Sequence, residues 1–106
     1  MNNRHSKHRI GGFNYSLVIK PFDDASFYRV TTRKGALQLI LNKNHPFFEK
    51  IYSVARQTGL HGGFLKDSIE TLLFAAARAE VGSGSTKDAL ERFRLAWSHA
   101  VVVFLR

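Results

Sequence analysis

The sequence predicts an α+β domain: a three-stranded antiparallel meander (about 13–42) covered by three helices (about 46–58, 67–81 and 86–104). Three observations carry this. Before Asn42, apolar residues alternate with period two, the mark of half-buried strands. Asn44-His45-Pro46 is a proline-led start signal for a helix. Beyond it the apolar spacing becomes helical, most regularly over residues 89–104.

Residues 1–12 contain one apolar residue beyond the initiator and end in paired glycines, the composition of a mobile basic arm. Residues 13–106 read as a single α+β domain. Phe13, Tyr15, Leu17 and Ile19 share one face of the first strand, and Pro21 ends it because proline cannot donate to a ladder. Asp23 and Asp24 fall in the next turn, where adjacent carboxylates cap backbone N–H groups. Residues 27–32 are rich in aromatic and β-branched types and favour a strand. Gly35 supplies the positive φ that a short hairpin loop demands. Residues 36–41 are almost continuously apolar, which suits a central strand better than an edge.

Pro46 occupies the first helical position, where its missing N–H would be unpaired anyway, with Asn44 or His45 as the cap. Phe47, Phe48, Ile51, Val54 and Ala55 follow at helical spacing, and Thr58-Gly59 is the stop. Residues 60–65 read as a flexible joint. Asp67 and Glu70 match a capping box for the second helix. That helix is apolar on two sides, with Ile69, Leu72, Leu73 and Ala76 in one stripe and Phe74, Ala77 and Val81 in another. Gly82-Ser83-Gly84 breaks it, and Ser85 with Asp88 forms a further capping box. The last helix places Ala89, Leu90, Phe93, Trp97, Ala100, Val101 and Phe104 on one face. Lys87, Asp88, Glu91, Arg94 and Ser98 lie opposite, with Asp88 and Arg92 spaced for an ion pair.

Composition bounds the function. Of 106 residues, 44% are hydrophobic and 23% charged, an ordinary globular balance. The absence of cysteine excludes disulfides, thiolate metal sites and thiol nucleophiles, and fits a cytoplasmic protein. No apolar run reaches bilayer length and no signal-peptide pattern opens the sequence, so no membrane partner is expected. Sixteen Lys and Arg against eight Asp and Glu give a net charge of +8, which favours polyanionic partners.

Motifs for catalysis are not formed. Residues 82–87 read GSGSTK, but a P-loop requires glycine directly before Lys-Ser/Thr and a strand ahead of it. No serine sits in G-x-S-x-G, and His45, His61 and His99 make no H-E-x-x-H pattern. His5 and His8 are spaced i, i+3 with no third ligand nearby. The expectation is a chain with no catalytic, cofactor-binding or metal-ligating residues, and so not an enzyme by itself.

One resemblance stands out. Phe27-Tyr28-Arg29-Val30, the turn glycine Gly35, the leucine-rich strand and Leu41-Asn42-Lys43-Asn44-His45-Pro46-Phe47-Phe48 resemble a segment of bacterial ATP-binding proteins. These belong to the gyrase, heat-shock-chaperone, histidine-kinase and mismatch-repair (GHKL) ATPase superfamily. In them a strand ending in an N-x-N-H-P-F-[FY] turn lies downstream of the nucleotide domain. Leu72-Leu73 and Ala76-Ala77-Arg78-Ala79-Glu80 are similar to the helix that follows, so the resemblance spans residues 26–97. It implies an accessory C-terminal region. The superfamily's nucleotide site requires a helix bearing Glu and Asn, a D-x-G-x-G turn and a glycine-rich lid, none of which occurs here. No catalytic residue carries over.

Two functional expectations follow. In the first, the chain is a non-catalytic accessory or interaction domain without a cofactor. Its helices over 67–104 then meet a protein partner or a second copy, with the off-stripe residues Phe74, Ala77, Val81, Leu95 and Val102 as the candidate interface. The alternative is a small basic nucleic-acid-binding protein, with Arg4, Lys7, Arg9, Arg33 and Lys34 as the candidate polyanion contacts.

Overall fold

The computed structural model describes residues 4–10, 13–57 and 62–106, with side chains described over 14–57 and 63–106. Four strands form one sheet: β1 (Arg4–Ile10), β2 (Phe13–Lys20), β3 (Tyr28–Arg33) and β4 (Ala36–Asn42). Their spatial order is β1-β2-β4-β3. β1 is antiparallel to β2 and β3 is antiparallel to β4, whereas β2 and β4 are parallel.

The α+β class holds and the antiparallel meander holds in part: β3 and β4 pair as expected, but β2 runs parallel to β4 and does not meet β3. β4 lies between β2 and β3, where Leu37, Leu39, Leu41 and Ile40 are all buried. A strand apolar on both faces gains most from a central place, and that outweighs the pairing of sequence neighbours. The mobile arm is corrected as well. Residues 4–10 form a strand in register with β2, from Arg4 opposite Val18 to Ile10 opposite Phe13. Residues 1–3 and 11–12 of that arm lie outside the described residues. Pairing with β1 covers an edge of β2 that would otherwise be open.

At the β3–β4 turn both central residues have positive φ, Lys34 at 42° and Gly35 at 80°, which is the type I′ pattern that matches the twist of hairpin strands. Helical geometry starts at Pro46 and continues through residue 57. Its middle, Phe48–Tyr52, is π-helical, and α1 (Ser53–Gln57) completes it. α2 (Gly62–Gly82) begins before Asp67, so Asp67 and Glu70 are not a capping box. Instead the hydroxyls of Ser68 and Thr71 donate one turn back to the carbonyls of Phe64 and Asp67. Glu70 is buried and accepts from the Tyr52 hydroxyl at 2.6 Å and Lys66 Nζ at 3.1 Å. The expected joint over 60–65 is thus helical from Gly62 onward, and residues 58–61 are outside the described residues. α3 (Lys87–Phe104) is capped by Thr86, not Ser85, with the Thr86 side chain accepting the Ala89 N–H at 3.1 Å.

The core gathers on one sheet face. Tyr15, Leu17 and Ile19 from β2 join Leu37, Leu39 and Leu41 from β4, Tyr28 from β3, and Phe27, Tyr52, Leu73, Phe74 and Ala77. α2 presents Phe74 and Ala77 to the sheet, and the Phe74 ring meets Tyr15 edge-on at 5.6 Å.

Candidate functional site

The turn after β4 is a clasp. Asn42 is only 2% exposed, and every polar atom of its side chain is engaged. Its Oδ1 accepts from the Phe22 N–H (3.0 Å) and the Asn44 N–H (2.9 Å), while Nδ2 donates to the carbonyls of Ser26 (2.8 Å) and Asp24 (3.3 Å). Asn44 Nδ2 donates to the Phe22 carbonyl at 3.2 Å. Together they tie down the connection over 21–27, which carries the chain from β2 to the far side of β4.

His45 extends the clasp to α3. The Phe47 N–H donates to Nδ1 at 3.0 Å, so Nε2 bears the proton and donates to the Ser98 carbonyl at 3.0 Å. Burial holds His45 below the usual histidine range, against the opposing pull of the Ser98 carbonyl. The neutral ring is the form that both contacts require.

α3 is anchored from its supposedly solvent face. Ser98 is fully buried, accepts the Phe27 N–H at 2.8 Å and donates to the Arg94 carbonyl at 2.6 Å. Arg94 donates from Nε (2.9 Å) and Nη2 (2.7 Å) to Glu80 Oε1. The Tyr28 hydroxyl donates to the other Glu80 oxygen, and the Arg94 guanidinium lies 5.6 Å from the Tyr28 ring centre. Burial, and then the Glu80 carboxylate, push the Tyr28 hydroxyl well above the usual phenol value, so it remains a donor. With both oxygens occupied, Glu80 is a structural acceptor and not a poised base.

Two grooves flank this anchored helix. The first, of about 440 Å³, is apolar and walled by Phe27, Phe47, Ile51, Leu72, Trp97 and Phe104 among others. Leu72 and Phe104 are 72% and 87% exposed. The second, of about 740 Å³, runs between β3 and the first half of α3, with Glu80 and Arg94 in its lining.

The expected site residues divide accordingly. Phe74 and Ala77 belong to the core and leave the candidate interface. Val81 and Leu95 are 40% and 44% exposed and line the β3–α3 groove, while Val102 is half-buried. Of the basic residues, Arg33 and Lys34 are exposed at the hairpin tip. Arg9 falls on the same cross-strand row as Arg33, through Asn14 and Ala36, whereas Arg4 sits opposite Val18 near the other end of β2. The backbone register thus sets Arg4 and Lys7, opposite Val18 and Ser16, on other rows than the one shared by Arg9 and Arg33. Leu72 and Phe104 were the missed residues, since helical spacing assigns both to core stripes.

Among the described residues, no group of three or more His, Cys, Asp or Glu is placed to hold a metal ion, and no helix is long and apolar enough to cross a membrane. No family model, curated protein or solved structure matches the chain.

Proposed function

We propose that the chain is a non-catalytic interaction domain that docks the apolar helical face of a protein partner in the groove formed by the Pro46-led helix, α2 and α3. The carrying observation is the exposure of Leu72 and Phe104 on that groove. Covering each would contribute roughly 1.5–3 kcal/mol as an upper figure. A trough between helices suits helix-in-groove recognition. The partner that the resemblance suggests is an ATPase domain of the GHKL type. The residues behind that resemblance, Asn42, Asn44 and His45, serve the clasp and need no nucleotide for it.

A photo-crosslinking amino acid in place of Leu72 tests this in cells. The expected result is one discrete protein that, once purified, binds the wild-type chain and not Leu72→Glu, with both chains giving the same melting curve. Titration of the chain alone with ATP and magnesium is expected to give no heat. Micromolar ATP binding, equal partner binding by Leu72→Glu, or capture of only a second copy would overturn the reading.

A further inference from the structure

Among the described residues β3 pairs on one side only, with β4, so its other edge is open. The two-residue Lys34-Gly35 turn makes Arg33 and Ala36 the closing pair, and the Phe27 carbonyl accepts the Asn42 N–H at 3.0 Å. Odd-numbered positions of β3 therefore bond to β4, and the N–H and C=O groups of Val30 and Thr32 face outward. Among the described residues, nothing pairs with them.

The 740 Å³ groove runs along this edge. Arg29, Val30, Thr31 and Thr32 all line it, although alternate residues of a strand point to opposite faces. Lining by consecutive residues means that the groove meets the strand along its backbone edge. Lys87, Leu90 and Leu95 of α3 form the far wall. An open strand edge beside a helix accepts an extended peptide as one more strand. Four lining residues at about 3.3 Å each give roughly 13 Å of pairing length.

Charge selects the occupant. Arg29 and Arg94 in the lining are already paired, with Asp24 at 2.9 Å and Glu80 at 2.7 Å. Lys87 in the groove, and Arg33 and Lys34 just beyond Thr32, make no ion pair among the described residues, and Glu91 is the one lining carboxylate beside them without a cation. A second copy is disfavoured, because pairing two β3 edges about Thr31 sets Arg29 against Arg33 between chains that each carry +8.

We propose that the β3–α3 groove binds an acidic, extended segment of a partner protein by strand addition. Val30 and Thr32 supply the backbone bonds, and Lys87, Arg33 and Lys34 the charge contacts. This goes beyond the helix-docking reading and uses a separate surface. Failure of the Leu72→Glu test would leave this groove untouched, and failure here would leave the apolar groove untouched.

The probe is the labelled octapeptide Glu-Val-Glu-Val-Glu-Val-Glu-Val, read by fluorescence anisotropy and by amide hydrogen exchange. In the free chain the Val30 and Thr32 amides exchange fast while those of Thr31 and Arg33 are protected, and the peptide slows the first pair. The Lys-Val octapeptide binds at least about tenfold more weakly, a difference of about 1.4 kcal/mol. Thr32→Pro removes an outward N–H without touching the β4 ladder and weakens binding about tenfold. Lys87→Glu does so without altering any strand. No binding of the acidic peptide up to millimolar concentration, equal binding of both octapeptides, or wild-type binding by both variants would overturn the proposal. So would an oligothymidylate that displaces the peptide and binds Thr32→Pro as tightly as wild type, which would mark a phosphate-binding surface.

Discussion

Replacing Asn42 with alanine strips the clasp of its centre, and the cost can be worked from its partners. The Phe22 N–H (3.0 Å) and the Ser26 carbonyl (2.8 Å) are bonded to Asn42 inside the protein. Each would be left buried and unpaired, at about 1–3 kcal/mol apiece. The Asn44 N–H and the Asp24 carbonyl are part-buried, so water replaces Asn42 there at smaller cost. The sum, about 2–6 kcal/mol, is a large share of a typical stability of about 5–15 kcal/mol. Urea unfolding followed by far-ultraviolet circular dichroism measures it. Asn42→Asp is the sharper variant. It keeps an acceptor for Phe22 but turns a second oxygen toward the carbonyls of Ser26 and Asp24, so it should lose about as much as alanine. A loss below about 1 kcal/mol for Asn42→Ala, or a harmless Asn42→Asp, would refute the clasp.

Three further outcomes are expected. His45 sits below its unfolded value of 6.5, so the unfolded chain takes up its proton first. Stability from this group is complete above pH 6.5 and falls, by at most about 1.4 kcal/mol per pH unit, as pH drops toward the folded value. Urea midpoints across that range should show the slope in wild type and lose it in His45→Asn. Lys34→Asn should raise stability by about 1 kcal/mol, because asparagine tolerates the positive φ at the first position of a type I′ turn; an unchanged thermal midpoint would contradict this. Arg94→Met strands the Glu80 carboxylate, which is 9% exposed, and should cost about 3–5 kcal/mol. The double variant with Glu80→Gln should recover much of that loss in a chemical-denaturation cycle, and no recovery would mean that the pair is not coupled.

Local signals placed β2, β3 and β4 well, missed β1 and the early start of α2, and said little of which strands pair. The alternation of β2 marks that strand to the residue, the apolar run over 36–41 stops one residue short of the end of β4, and β3 is displaced by one position. Strand order is a different matter, since the only trace of it is the double-sided apolar character of residues 37–41. That trace contradicted the meander, which would have put β4 at an edge. In α2, two apolar stripes are equally legible, and spacing alone cannot say which meets the sheet; the larger aromatic, Phe74, went inward and Leu72 outward. The groove residues Val81 and Leu95 were legible as apolar residues off a stripe. The clasp was legible only as a helix start, because its decisive bonds join His45 to Ser98 and Phe27 to Ser98 across 53 and 71 residues.

The same distant bonds explain why surface is left open. α3 meets the sheet along one narrow line, where Arg94, Trp97 and Ser98 face Tyr28, Phe27 and His45. Directional hydrogen bonds and edge-on rings, with Trp97 at 5.0 Å from Phe27 and 5.5 Å from Tyr28, set the height and rotation of the helix without broad burial. A helix held only by apolar contact would gain by rolling until Leu72 and Phe104 were covered. Held by Ser98 and Arg94, it cannot roll without leaving buried donors and acceptors unpaired, at a cost of about 1–3 kcal/mol each. The polar anchors thus fix α3 in a position that leaves a groove on either flank.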